Sequence, residues 1–202
     1  MKKKKIHFFY IVIYTFIILL LLIMTGCSNY RQLIFNNAFY NCYFEYPISH
    51  HVISIDEGNN ESSIASVFIA LVQTKAPQDE YIIVNVMKID SLFPSYGALL
   101  EYNLNSAQQG QNEYEFILVD RSIITIDSVS GEKIVYSYFR HPQPIIENDQ
   151  IIKPEAIPAI SYSAYFENKG FLWEINVVAI AERSTQAQND FERLISTFKF
   201  LD

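Results

Sequence analysis

The chain has 202 residues, half of them hydrophobic and 15% aromatic, with 22 acidic residues against 15 basic ones. Four of the basic residues are Lys2 to Lys5 and no acid precedes residue 27, which leaves 11 basic against 22 acidic residues beyond residue 26, a net charge of −11. A globule this acidic is repelled by phosphate backbones, which argues against a nucleic-acid partner, and the 176 residues from Cys27 onward suffice for one domain with a sizeable core.

The chain opens with four lysines, and from Phe8 to Met24 the only plainly polar side chain is Thr15. A basic start, an apolar run and small residues at its end are the parts of a secretory signal. The closing Met24-Thr25-Gly26-Cys27 resembles the lipobox of bacterial lipoproteins. That resemblance implies cleavage before Cys27 and acylation of its thiol with diacylglycerol and palmitate-type chains. Residues 1–26 are then a signal peptide and Cys27 a lipidation site. The alternative is an uncleaved anchor helix, since about 17–25 apolar residues span a bilayer. Lysines on the N-terminal side hold that end in the cytoplasm in either case. Both readings place the remainder outside the cytoplasm, on the cell membrane or an outer membrane. Two or more acyl chains hold stably where one holds only marginally.

Residues 27–38 read as the lipidated N-terminus and a tether. The eleven residues from Ser28 to Ala38 span roughly 18–20 Å as a flexible coil. Cys42, among Phe39, Tyr40, Tyr43 and Phe44, reads as a small buried hydrophobe; a Cys27–Cys42 disulfide is the alternative in a secreted chain.

Phe39 to Tyr46 reads as a strand stopped by Pro47, and His51 to Asp56 as a second. Strands follow at Ile64 to Val72 and Tyr81 to Ile89, the latter nearly continuously apolar and so covered on both faces. From Ser95 to Gln109 the period becomes helical through Leu99, Leu100, Leu104 and Ala107, with Ser95 as N-cap and Gly110 as stop. Glu113 to Asp127 returns to strand, with a bulge or break at Asp120-Arg121. Ser130-Gly131 reads as a turn into a strand over Glu132 to Phe139. Arg140 to Pro158 holds four prolines and reads as a long loop without regular structure, a pattern found in functional or mobile segments. Ala159 to Ala181 reads as a hairpin about Glu167-Asn168-Lys169-Gly170, with one apolar and one mixed face. A last helix is capped by Ser184 or Thr185, with Thr185 and Gln188 as a capping box. Its buried stripe is Ala187, Phe191, Leu194 and Ile195, and a short strand over Phe198 to Leu201 closes the chain. Two amphipathic helices need a sheet to cover, so the expected fold is α+β, a mostly antiparallel sheet flanked by two or more helices over residues 39–202.

Three segments resemble the PsbP-like family. They are Phe44-Glu45-Tyr46-Pro47, the run Ser130-Gly131-Glu132-Lys133-Ile134-Val135-Tyr136, and the closing Phe191-Glu192-Arg193-Leu194-Ile195-Ser196-Thr197-Phe198-Lys199-Phe200. The likeness covers residues 39–202 and implies the family's layered α+β domain. It departs at Ile48-Ser49-His50-His51, where the family often carries a Trp. Members include photosystem accessory subunits and bacterial lipoproteins; nothing in this chain points to photosynthesis.

Candidate chemistry is sparse. His50-His51 offers imidazoles, with Asp56 and Glu57 nearby, but adjacent strand residues face opposite ways. Asp120, Asp127 and Glu132 are acids with no spacing that pairs them for acid–base work. His141 would meet Ser161 or Ser163 only through folding. Trp173 sits mid-strand on an apolar face and reads as core. No nucleophile elbow, phosphate loop or zinc-protease motif occurs. The expectation is therefore a non-catalytic, membrane-anchored lipoprotein that binds or scaffolds another envelope protein, without catalytic, cofactor or metal residues. The alternative is a small-ligand or cation-binding lipoprotein using His50-His51 or the Arg140–Pro158 segment.

Overall fold

A computed structural model describes residues 32–38, 40–55, 66–73, 80–109, 115–140, 145–147, 150–152 and 155–201. Cys27, Asp56, Glu57, Gly110 and His141 lie outside the described residues. Leu33–Asp202 forms one compact unit.

Its strands are β1 (Gln32–Asn37), β2 (Cys42–Pro47), β3 (His50–Ile55), β4 (Ser66–Gln73), β5 (Glu80–Lys88), β6 (Ile117–Ile126), β7 (Val129–Arg140), β8 (Ile145–Glu147), β9 (Gln150–Ile152), β10 (Ile157–Asn168), β11 (Phe171–Ile180) and β12 (Lys199–Phe200). Helix α1 spans Tyr96–Gln109, and a 3-10 turn over Ala181–Arg183 leads into α2 (Ser184–Thr197). Seven strands form one sheet in the order β3-β4-β5-β11-β10-β7-β6, every adjacent pair antiparallel. A small sheet has the order β1-β2-β12, and β8 pairs with β9. This is the expected α+β architecture with two flanking helices.

The β10–β11 hairpin forms the centre of the sheet. Lys169 and Gly170 both have positive φ (50° and 81°), the backbone of a two-residue turn whose twist matches that of the flanking strands. The next hairpin, β6–β7, turns at Asp127 and Ser128, also at positive φ (46° and 70°). The turn expected at Ser130-Gly131 is therefore displaced, and Gly131 lies within β7. It is glycine for a different reason: a Cβ there would stand 2.5 Å from the Tyr165 carbonyl oxygen and 2.8 Å from Phe166 Cβ. Glycine lets β10 approach β7.

The chain leaves β5 at the middle of the sheet, crosses one face as α1 and returns at the far edge as β6. Ser95 caps α1, its Oγ accepting from Ala98 N–H at 3.3 Å. Leu99 and Leu100 pack on Ile134, Tyr165 and Leu172. The other face carries the main core. Trp173 and Phe166 stack at 6.0 Å, with Phe198 and Phe200 edge-on to both. Ala187, Phe191 and Leu194 of α2 close this layer together with Phe35, Cys42 and Phe44 of the small sheet. The free Cys42 thiol is fully buried, and burial pushes its pKa up to about 12.

Four further expectations are corrected. Within the segment expected to be a tether, 28–38, Gln32–Asn37 is a strand hydrogen-bonded beside β2. The strand expected from Phe39 starts only at Cys42, after a turn at Tyr40-Asn41, and ends at Pro47. The Arg140–Pro158 segment is not a structureless loop, since it holds the β8–β9 pair and the start of β10. Pro158 fits inside β10 because it lies one residue beyond Ala159, the last residue paired with β11. Neither Ser184 nor Thr185 caps α2. Its N-cap is Arg183 with no side-chain bond, and the Ser184 N–H instead donates to Ala181 O of the 3-10 turn.

Candidate functional site

Strand β6 is one of the two edge strands of the large sheet, so its outer backbone groups are a template for another strand. Edge strands in soluble proteins are usually polar, but this one exposes Ile117, Leu118, Val119 and Ile123 at 58%, 45%, 58% and 71%. The register shifts between Leu118 and Asp120, so Val119 and Asp120 together oppose Val135. This bulge answers the break expected at Asp120-Arg121. A bulge re-aims side chains, and here both Val119 and Asp120 line one groove.

That groove lies between the sheet edge and α2, has a volume of about 200 Å³, and has Val135, Ile160, Tyr162 and Phe191 among its apolar lining. One rim is Asp120, held by Lys133 Nζ at 2.7 Å and by the Ser122 hydroxyl at 3.3 Å; the Lys133 hydrogen bond holds its carboxyl below the ordinary value. The other rim is Gln188 and Glu192, joined at 2.8 Å. On the opposite face of β6, Arg121 bridges Glu132 and Glu101 of α1.

Two buried polar clusters lie deeper. Glu174 of β11 faces α1 and is 6% exposed. Its Oε2 accepts from Asn85 Nδ2 at 2.6 Å, and its Oε1 accepts from the Tyr165 hydroxyl at 2.9 Å and from Asn103 Nδ2 at 3.3 Å. All three donors are neutral, and burial pushes the carboxyl upward. Alongside, the Ser161 hydroxyl donates to Asn176 Oδ1 at 2.8 Å and lies 3.2 Å from Ser163 Oγ.

The second cluster joins β3, β5 and α2. Glu80 is fully buried; His50 Nε2 and an Arg183 guanidinium nitrogen each stand 3.5 Å from one of its oxygens. Burial, then the neighbouring Asp190 carboxylate, pushes Glu80 up to about 8. Burial first, then Arg183, lowers His50 to about 4. At neutral pH the imidazole is uncharged and Glu80 keeps its proton beside Asp190.

The sequence candidates are scattered. His50 is buried while His51 is exposed on the other side of β3. Asp127 is committed to the Phe200 N–H at 2.8 Å and Lys199 Nζ at 3.0 Å, and Glu132 to Arg121. Ser161 and Ser163 serve the buried cluster, and Trp173 is core. Among the described residues no group of three or more His, Cys, Asp or Glu is placed to hold a metal ion. Sequence reading missed Glu80, Glu174 and Asp190. The one signal for Glu174 was an acid in a strand of otherwise apolar neighbours.

No protein-family model and no curated protein matches the chain. Solved structures do. Cyanobacterial PsbP (CyanoP) from Synechocystis sp. PCC 6803 aligns with a TM-score of 0.55 at 14% identity, covering 87% of this chain and 95% of its own. The fold is PsbP-like. The Ran-binding protein Mog1p of Saccharomyces cerevisiae shares it at 0.52 and 10% identity, covering 85% of this chain and 96% of its own. LpqN of Mycobacterium tuberculosis, involved in cell envelope biogenesis, aligns at 0.49 and 14% identity over 85% of this chain and 91% of its own. At these identities the likeness is one of fold.

Proposed function

We propose that this PsbP-like domain is a non-catalytic protein-binding or scaffolding module of the cell envelope, fastened outside the cytoplasm by lipid on Cys27. One observation carries the binding role: an edge strand with four exposed large aliphatic residues beside a groove with an apolar floor. Exposed apolar surface of this kind marks interaction sites. The leader and its Met24-Thr25-Gly26-Cys27 ending support the anchor. The non-catalytic reading is supported by the acids, since Asp120, Asp127 and Glu132 are each held by a cation. The Ran-binding neighbour adds that a related scaffold carries a protein interface.

A photo-cross-linker at Val119, with another at Leu92 as control, tests the binding role in intact cells. A specific neighbour captured from Val119 and not from Leu92 is the expected result; none captured from either overturns it. Fractionation of wild type and Cys27→Ser tests the anchor. The variant leaves the membrane fraction or keeps its leader, with a corresponding change of mass. Unchanged mass and membrane residence of the variant, or wild type in the cytosol, sinks the lipoprotein assignment.

A further inference from the structure

The geometry points to strand addition on β6 by an extended, apolar segment of another protein that carries Lys or Arg at its flanks. This rests on the protein-binding reading and specifies its mode and chemistry. Three observations choose the occupant.

The first is the strand itself. Among the described residues nothing pairs with the outer side of β6, and an incoming strand takes up backbone groups that are otherwise left to water. Because strand side chains alternate, alternate residues of the segment fall on the groove side, next to Val119 and the Val135–Ile160 floor.

The second disfavours another copy of this chain. Two-fold antiparallel pairing sets one residue opposite its own copy. A register that covers both apolar ends, Ile117–Val119 and Ile123–Ile124, must centre on Asp120 or Arg121. Either choice sets like charges directly opposite, which is destabilising. The charged pair in mid-strand thus disfavours self-pairing and leaves the apolar ends open to a different sequence.

The third is charge. Asp120 is already held by Lys133, but Glu192, on the helix rim, is exposed and bonded to the neutral Gln188. No cation lies within ion-pair distance of it among the described residues. The chain beyond residue 26 carries a net charge of −11. A basic flank is attracted and an acidic one repelled.

The test uses the full-length protein in detergent and three labelled peptides, read by fluorescence anisotropy. The first is Lys-Val-Thr-Val-Thr-Val-Lys, the second has Glu in place of both Lys, and the third has Pro in place of the central Val. The first should bind about fivefold or more tighter than the second at low salt, the gap narrowing as salt rises. The third should not bind, since Pro removes a ladder donor. Val119→Asp should abolish binding of the first, and Glu192→Lys should shift preference toward the acidic peptide. Both substitutions are at exposed positions, so folding should persist, which circular dichroism checks. Equal binding of all three, no binding at about 1 mM, or binding indifferent to Val119→Asp overturns strand addition. If the peptides fail while the Val119 cross-linker still captures a neighbour, only this mode is lost. If both fail, the binding role falls with it.

Discussion

Trp173 and Glu174 are adjacent in β11 and point into opposite layers of the molecule. Around Trp173 the layer under α2 is filled by aromatic rings, with Phe166, Phe198 and Phe200 within about 6 Å. Around Glu174 the layer under α1 is a small apolar patch beside a hydrogen-bonded cluster of Asn, Tyr and Ser. The difference teaches how each helix is held. Rings contribute area without requiring one register, so α2 covers its layer by bulk, and its placement is set at its margins by the Tyr162 hydroxyl on Ser184 O and by Arg193 and Thr197 on Glu45. The cluster requires each donor to meet its acceptor, so α1 is fastened by position, through Asn103.

The largest test of that contrast is Trp173→Ala. It should cost about 3–5 kcal/mol, the usual price of an aromatic removed from a core, read as a fall in the denaturant midpoint. A loss under about 1 kcal/mol would mean that the ring layer is not the main core. Next comes Glu174→Ala, which strands the donors of Asn85, Asn103 and Tyr165 and should cost about 1–3 kcal/mol. Glu174→Gln keeps an acceptor and should cost less than Ala. If Gln is as damaging as Ala, the cluster depends on charge and not on satisfied hydrogen bonds.

The third test concerns pH at the other buried acid. Glu80 holds its proton in the fold up to about pH 8, against an ordinary 4.5, so its contribution to stability is lost as pH rises from 4.5 through 8. His50, lowered from 6.5 to about 4, acts oppositely, and stability is lost as pH falls from 6.5 through 4. The two offset each other where the windows overlap. Between pH 6.5 and 8 the His50 imidazole no longer titrates, and stability should fall as the buried Glu80–Asp190 pair, both held above their ordinary values, loses its proton. Glu80→Gln should flatten that limb in a urea titration series. The smallest effect is expected at the surface: Arg193→Ala removes two donors, Nε and Nη2, from one Glu45 carboxylate oxygen and should cost about 1 kcal/mol or less.

What the sequence made legible is what local chemistry decides. The β10–β11 hairpin follows from alternation and Lys169-Gly170, helix α1 from its stripe and Ser95, and the β6 bulge from Asp120-Arg121 interrupting apolar residues. What it hid depends on distant partners. The Asp127-Ser128 turn is braced by Phe200, 73 residues on. Gly131 is explained by Tyr165 and Phe166, on a strand that follows later in the chain. The Arg140–Pro158 segment reads as broken by its prolines, yet three residues on each side suffice for the β8–β9 pair. The candidate site was hidden for the same reason. Ile117, Val119 and Ile123 read as ordinary strand residues, and only the order of strands in the sheet leaves them exposed.

The small sheet has a consequence for the chain as a whole. Its first strand, β1, and its last, β12, flank the same β2, which sets them two strand spacings, about 10 Å, apart. Because β1 and β12 run the same way, the start of β1 and the end of β12 lie at opposite ends of β2, and in a chain trimmed to Gln32 a linker of about eight residues would close the backbone into a circle. Fresh ends cut elsewhere, at the Lys169-Gly170 tip for example, should then give a permuted protein with the same shape, because this architecture does not depend on where its chain is opened.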